Sequence, residues 1–211
     1  MGLSVKISEL STLAGVNVAT IKFYIREQLL PAGELVKPNQ AEYDDSHVRR
    51  LRLVRALLEV GGVPIATARD VLSVVDSTES IFRALGVAQK SVSPVIDQTA
   101  ISPASLKSVD AVLTGWAIEP HNPGRLAAAQ VFSAFTEDDG STGVSESWYA
   151  AYAKAARDVA VADMAEVDRR PDRASKVEMV IMGTVLGDVL FAAFRRAAGE
   201  SVAAGAQQAQ C

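Results

Sequence analysis

Cysteine is almost absent from this sequence. Its only thiol is Cys211, the last of 211 residues, so no intramolecular disulfide can form. Metal centres held by several thiolates are excluded for the same reason, and we predict neither a metal site nor a cofactor. Aromatic residues are also few, at 6%, whereas apolar residues make up 49% and charged residues 22%. That balance is typical of a globular protein with a buried core.

Long uninterrupted apolar runs are missing as well. Polar residues interrupt the N-terminus from Ser4 onwards, unlike a secretory leader, and we therefore expect a cytoplasmic protein. The most apolar stretch, residues 177 to 194, contains Glu178 and Asp188. Two carboxylates would be costly in lipid, so we expect no membrane span. We interpret this stretch as a helix buried in a core or in a subunit interface.

Charge is divided unevenly along the chain, whose net charge is −4. Residues 1 to 75 hold nine Lys and Arg against eight Asp and Glu, whereas the remainder of the chain is acidic. Such a mild excess does not by itself indicate a nucleic-acid partner. Any case for one must come from where the cations lie.

Two short helices joined by a turn are predicted near the N-terminus. Apolar residues at positions 7, 10 and 14 share one helical face, which ends at Gly15, a residue suited to the left-handed conformation that closes helices. Asn17 can then cap a second helix that continues to about Arg26. The pattern is helix, turn, helix.

Two more helices follow a segment without helical periodicity. Residues 32 to 42 contain turn formers and predict a loop or a short ribbon. Asp44 can cap a third helix that ends at Gly61 and Gly62, and Pro64 suits the first turn of a fourth.

Taken in order, these segments resemble the DNA-binding domain of the MerR family of bacterial transcription regulators. The resemblance covers residues 5 to 75, and an ordered set of motifs over that length is more specific than a lone helix-turn-helix. The motifs are Ile7-Ser8-Glu9-Leu10, Ala14-Gly15-Val16-Asn17-Val18, Thr20-Ile21-Lys22-Phe23-Tyr24, Leu29-Leu30-Pro31 and Tyr43-Asp44-Asp45-Ser46-His47-Val48-Arg49-Arg50-Leu51.

The resemblance implies a winged helix-turn-helix in which the second helix enters the major groove and the ribbon forms the wing. Small or polar residues at the leading end of that helix and cations along its flank suit this role. The resemblance and this chemistry together place the following residues at the DNA interface: Asn17, Ala19, Thr20, Lys22, Phe23, Tyr24, Arg26, Lys37, Asn39, Gln40, Tyr43, Arg49 and Arg50.

Some of these positions depart from the family pattern or allow another interpretation. Phe23 replaces the more usual tyrosine and cannot donate a hydrogen bond to phosphate. Lys37 is the only cation of the expected wing, which favours weak or selective backbone binding. Lys22, Arg26 and the arginines from Arg49 onwards could also form solvated helix faces.

Residues 76 to 211 are predicted to form an all-helical domain, so that the whole chain is all-α. A helix from about Thr78 is cut off at Pro94, which makes it too short to be the whole dimer contact that the family builds from a long helix. Gly183 and Gly187 favour close helix approach and a dimer seam. At the level of fold, this part is similar to the ligand domain of TetR-type regulators. Further helices are predicted at residues 104 to 118, 124 to 135, 145 to 167 and 173 to 198.

Aromatic residues are concentrated in this second part. They either pack a helical core or line an apolar pocket for a small apolar or cationic organic effector. The candidate ligand-binding residues are Trp116, Phe132, Phe135, Trp148, Tyr149 and Tyr152.

The leading hypothesis is therefore a homodimeric transcription regulator. It would bind a palindromic site in double-stranded DNA where RNA polymerase acts, through residues 1 to 75, and would dimerise and sense an effector through residues 76 to 211. The alternatives are a constitutive or architectural DNA binder, and an enzyme with a DNA-binding appendage. The sequence shows no nucleophile motif beside His47 or His121, so we predict no catalytic residue.

Overall fold

The computed structural model describes residues 4–38, 40–77, 80–93, 96–135 and 143–208. Asn39, Thr78, Pro94 and Cys211, which entered the predictions above, lie outside these ranges. The described chain is mostly helical and contains one two-stranded sheet. Its elements are α1 (Ile7–Ala14), α2 (Val18–Arg26), β1 (Glu34–Lys37), β2 (Gln40–Glu42), α3 (Asp45–Arg55), α4 (Ile65–Asp76), α5 (Ile81–Val92), α6 (Pro103–Val112), α7 (Pro123–Phe135), α8 (Glu146–Asp168) and α9 (Arg173–Gln208).

The chain forms two compact units, and the first is built from both ends of the sequence. The first unit comprises residues 1–91 and 172–211, and the second unit comprises residues 92–171. The predicted division into a DNA-binding domain of residues 1 to 75 and a helical domain of residues 76 to 211 stays a prediction. Helix α9, which that division assigns to the second domain, belongs to the first compact unit.

The predicted caps fix the ends of α1, α2 and α3. Gly15 has φ of 64°, and its amide bonds the carbonyl of Ser11 where α1 ends. The side chain of Asn17 accepts a hydrogen bond from the amide of Thr20 at 2.8 Å and starts α2. The side chain of Asp44 accepts from the amide of Ser46 at 2.9 Å and starts α3. These three predictions are confirmed.

The segment between α2 and α3 forms a short ribbon. Strands β1 and β2 are antiparallel, with Glu34 opposite Glu42 and Leu35 opposite Ala41, and the register is irregular near Lys37. A separate bridge joins Val5 to Tyr43, through reciprocal hydrogen bonds of 2.9 Å, and anchors the base of the ribbon to the chain before α1.

The core of the first unit includes residues from the last helix of the chain. Helix α3 runs into a π-helical turn, Ala56–Val60, and α9 packs against both this turn and α4. Gly61 permits the close approach, because a Cβ at that position would overlap a methyl group of Val185. The fully buried residues of α9 are Val177, Val180, Ile181 and Val185.

The second unit contains α6, α7 and α8, and two helix ends differ from the predictions. Helix α6 ends at Val112 instead of residue 118, because Gly115, with φ of 84°, forms a turn there. In the first unit, α9 continues to Gln208, ten residues beyond its predicted end. Its C-terminal part is rich in alanine, the best helix former, and has no proline to stop it. Beyond residue 93 the described residues contain no strand.

Candidate nucleic-acid interface

Helix α2 separates its residues cleanly into an inner and an outer face. Ile21 and Tyr24 point into the core and are buried, whereas Ala19, Lys22 and Arg26 are exposed. Asn17 lies exposed just before the helix, and Thr20 is half-buried. The leading end of the outer face is therefore small and polar, and its far end is cationic. This is the distribution that a helix needs to approach base edges with one end and phosphates with the other.

Phe23 lies beside this outer face and supports a cation. The guanidinium of Arg26 stands over the Phe23 ring, 5.3 Å from its centroid, and is also 3.7 Å from a carboxylate oxygen of Glu27. A cation–π contact restrains the long arginine side chain without using its hydrogen-bond donors. Phe23 cannot donate a hydrogen bond to phosphate, but it helps to position Arg26, which can.

The structure places the two predicted tyrosines in the interior. Tyr24 and Tyr43 are buried, and burial is the main cause that raises the pKa of both phenols. Tyr24 packs beneath the outer face of α2, and Tyr43 packs edge-on against His47, with their ring centroids 5.1 Å apart. Their positions suit supporting roles beneath the surface, and the predicted contact of these two rings with DNA stays a prediction.

Two neighbouring arginines of α3 differ in exposure. Arg49 is exposed, whereas Arg50 is buried. The Arg50 guanidinium pairs with the carboxylate of Asp76 and donates to the carbonyl of Leu72 at 3.4 Å. The N–H donors of Arg50 thus form bonds between α3 and α4. The predicted contact of Arg50 with DNA stays a prediction, and a phosphate could reach this side chain only by breaking those bonds.

Two further arginines hold the helix-turn-helix in place, and the sequence did not reveal them. Arg55 donates to the carbonyl of Ala14 at 3.4 Å, at the end of α1, while its other nitrogens bond Glu59. Arg69 donates to the carbonyl of Glu27 at 2.9 Å, just after α2. Free carbonyls at helix ends attract cations. Both contacts span more than 40 residues, so no local motif could have indicated them.

The ribbon carries its cation at the tip. Lys37 is exposed and Gln40 is half-buried, at the end of β1 and the start of β2. Leu35 and Val36 are also exposed on β1. Asn39, the other predicted contact in this ribbon, lies outside the described residues.

The joint between the ribbon and α3 is closed by Asp44 and His47. Nδ1 of His47 lies 2.8 Å from a carboxylate oxygen of Asp44 and 3.2 Å from its amide nitrogen. Hydrogen bonds from Ser46 and from His47 hold the pKa of the Asp44 carboxyl well below its usual range. The pair therefore fixes the direction in which α3 leaves the ribbon.

Five of the six candidate ligand-binding residues meet in the second unit. Phe132 and Tyr149 stack with centroids 3.7 Å apart, and Trp148 contacts Tyr149 and Tyr152 at 5.2 Å and 4.6 Å. Phe135 meets Trp148 edge-on at 5.9 Å. The sixth residue, Trp116, lies instead under the guanidinium of Arg157, 5.9 Å from it. We call Phe135, Trp148 and Tyr152, which are partly exposed, the aromatic edge.

A family model matches the N-terminal third of this chain, and a solved structure matches nearly all of it. Residues 5–74 match the model of the MerR HTH family regulatory proteins. The crystal structure of SCO5550 from Streptomyces coelicolor A3(2), which is named as a candidate transcriptional regulator, is 32% identical. The match covers 95% of this chain and 96% of that one, with a TM-score of 0.73. No curated protein matches the sequence.

Proposed function

The chain belongs to the MerR family of helix-turn-helix regulatory proteins, and from that premise we propose that it regulates transcription by binding a palindromic promoter site as a homodimer. Helix α2 would lie in the major groove of each half-site. RNA polymerase at the same promoter would be the functional partner, and the cytoplasm the place of action. In the family, activators twist and bend an overlong promoter spacer, and such deformation must be offset by contacts on both half-sites.

The observation that carries this proposal is the outer face of α2. Asn17 and Ala19 would approach base edges, and Lys22 and Arg26 would meet phosphates. Both ends of the helix are fixed, by the Asn17 cap at the start and by the Arg69 bond to the Glu27 carbonyl after its last turn. A helix held at both ends loses little conformational freedom when it binds. Thr20 and Phe23 would complete its contact surface.

The ribbon would act as the wing and add a second, weaker contact. Lys37 and Gln40 at its tip supply one cation and one amide, with Asn39 between them in sequence. Glu34 and Glu42 face each other across the strands and repel phosphate at the base. We propose that only the tip touches the backbone, while exposed Arg49 supplies a further phosphate contact from α3.

Salt dependence tests the phosphate contacts directly. Affinity would be measured by fluorescence anisotropy on a palindrome selected from genomic fragments, over a range of salt concentrations. Each phosphate contact that is lost lowers the slope of log affinity against log salt by about 0.9. Lys22→Ala should lower the slope by about that amount per subunit, whereas Lys107→Ala, an exposed lysine of α6, should leave it unchanged.

The comparison of DNA duplexes distinguishes regulation from architectural binding. The regulator should prefer the palindrome to a random duplex by about a thousandfold or more. Equal affinity for every duplex would refute sequence-specific regulation and would favour the constitutive, architectural alternative. An unchanged salt slope in Lys22→Ala would refute the role of α2.

We further propose that the aromatic edge receives a small apolar or cationic organic effector. The exposed rings meet at 77° between Phe135 and Trp148 and at 52° between Trp148 and Tyr152, and they offer flat apolar surfaces and negative ring faces to such a molecule. A thermal-shift screen of aromatic cations and their neutral analogues would test this. A true ligand should raise Tm in the wild type but not in Trp148→Ala, and a screen that raises Tm in neither would leave the sensing role refuted for those classes.

A further inference from the structure

The last helix carries an apolar surface that the rest of the described chain leaves uncovered. Helix α9 buries Val177, Ile181 and Val185 on one side. On the opposite side Leu190 is 54% exposed and Phe194 is 66% exposed. We call Met182, Leu186, Val189, Leu190 and Phe194 the outer face of α9. With 3.6 residues per turn, these positions form one continuous stripe.

A membrane is a poor occupant for this surface. By length and composition α9 could cross a bilayer, and only 22% of its most apolar 18-residue window is buried. However, Glu178, Asp188, Arg195 and Arg196 are spread along the helix. Glu178 and Asp188 lie within the apolar stretch and would each have to be desolvated or paired in lipid, whereas Arg195 and Arg196 follow it directly. A protein surface, whose rim can solvate or pair such charges, fits better.

The charges flanking the outer face are complementary to their own copies. Glu178 and Arg196 are 18 residues apart, which is five helical turns, so both side chains leave α9 on the same flank. Neither forms an ion pair within the described part of the chain. The midpoint between them is Gly187. An antiparallel copy related by a two-fold axis there would place Glu178 opposite the second copy's Arg196, and would repeat the pair symmetrically.

The same axis brings apolar groups into complementary positions. Gly187 marks the level of this axis, and it leaves α9 on the flank opposite to Glu178 and Arg196, where an added Cβ would meet no atom of this chain within 4 Å. Leu190 of one copy would then lie beside Gly183 of the other. Phe194 would lie over Met179. Small residues opposite large ones allow two helices to interdigitate.

We propose that the outer face of α9 pairs antiparallel with the same face of a second copy, about a two-fold axis at Gly187. The inference rests on the proposed function, because binding to a palindromic site requires a dimer. It assigns the dimer contact to the last helix. Helix α5 is the competing position, because its Phe82 is 75% exposed.

Sedimentation equilibrium of the full chain tests which surface pairs. Leu190→Glu and Phe194→Glu should each raise the dimer dissociation constant at least about tenfold, since a buried apolar contact becomes a buried charge. Val161→Glu, on an exposed apolar position of α8, should leave it unchanged and serves as the matched control. Dissociation by Phe82→Glu, with the α9 variants still dimeric, would overturn the inference in favour of α5.

Charge exchange tests the axis itself without disturbing the apolar core. Glu178→Arg and Arg196→Glu should each weaken the dimer about three- to tenfold, because like charges then face each other in two symmetric places. The double variant restores opposite charges and should return to within about twofold of the wild type. A double variant as weak as the single ones would overturn the two-fold axis at Gly187.

Two further measurements separate this inference from the proposed function. A dimeric wild type that prefers the palindrome, together with dimeric α9 variants, refutes only the α9 contact. A dimer that dissociates as expected but binds all duplexes equally refutes only the regulatory function. A wild type that is monomeric, and that co-sediments with phospholipid vesicles through α9, would overturn the inference in favour of a membrane.

Discussion

Arg50 and Asp76 lie 26 residues apart, and their ion pair ties the middle of α3 to the last residue of α4. The two ends of this pair differ in environment, because the Arg50 side chain is 9% exposed and the Asp76 side chain is 60% exposed. The bond to the Leu72 carbonyl satisfies a second nitrogen of the same guanidinium. A buried arginine depends on such partners, since an unpaired charge in the interior is costly. Arg50 therefore stabilises the fold, at a position where the sequence predicted a DNA contact.

Asp76→Asn should lower the free energy of unfolding by about 1 kcal/mol, because the buried guanidinium loses a charged partner while solvent reaches its outer edge. Urea denaturation would measure the change. Asp70→Asn, at an exposed position of the same helix, is the matched control and should have little effect. If the folded Asp76→Asn protein lost DNA affinity but no stability, the supporting role of Arg50 would be wrong.

Asn17 should contribute to both stability and DNA binding, and two substitutions separate these roles. Asn17→Ala removes the cap of α2 and should cost about 1 kcal/mol of stability. Asn17→Asp keeps a capping oxygen and should preserve stability, yet its carboxylate would repel DNA phosphates and lower affinity. Thermal unfolding and anisotropy titrations would be run on both variants. Equal DNA affinity for Asn17→Asp and the wild type would argue against contact at this position.

Asp44 should make stability depend on acid pH. Hydrogen bonds from Ser46 and His47 lower its folded pKa below the ordinary value of 3.8, so folding favours the ionised form. The stabilisation is present above that ordinary value, and it is lost as pH falls through the lower folded pKa. Denaturation at several pH values should show a shallower acid decline in Asp44→Asn than in the wild type. Asp45→Asn, at the next exposed position, provides the comparison, and identical acid profiles for all three proteins would contradict the assignment.

The hydroxyl of Tyr149 is buried and has no hydrogen-bond partner in the described part of the structure. An unsatisfied buried hydroxyl costs about 1 to 3 kcal/mol, so Tyr149→Phe should leave stability unchanged or raise it by about 1 kcal/mol. Phe132→Ala, which removes the stacked partner, should instead destabilise by about 3 kcal/mol or more. Calorimetry would compare the two. A clear loss of stability in Tyr149→Phe would mean that the hydroxyl has a bound partner.

Local chemistry explains which parts of the fold the sequence predicted correctly. Helix caps depend on residues within three or four positions, and Gly15, Asn17 and Asp44 act as predicted. The turn-forming residues before Asp44 likewise predicted a loop or ribbon, and the structure shows the ribbon. The end of α6 was placed too late, because the left-handed conformation of Gly115 depends on its surroundings as well as on its type.

The roles of the arginines could not be predicted in the same way. Arg49 and Arg50 are adjacent and chemically identical, and only the position of α4 decides that one is buried. Arg55 and Arg69 bond carbonyls that are distant in sequence. Periodicity indicates which side of a helix is apolar, but it cannot say which cation a neighbouring helix will bury. The roles of these arginines therefore depend on tertiary contacts of α3 and α4 that the sequence pattern does not specify.

The packing of Val185 against Gly61 has a consequence for how the protein is made. The last helix covers α4 and the π-helical turn, yet its first residue is synthesised 97 residues after the last residue of α4. At about 5 to 20 residues per second, the nascent chain must wait several seconds before that surface is sealed. Synthesis of nearly the whole polypeptide thus precedes completion of the unit that contains the helix-turn-helix, and prematurely terminated chains should be cleared by proteases instead of accumulating.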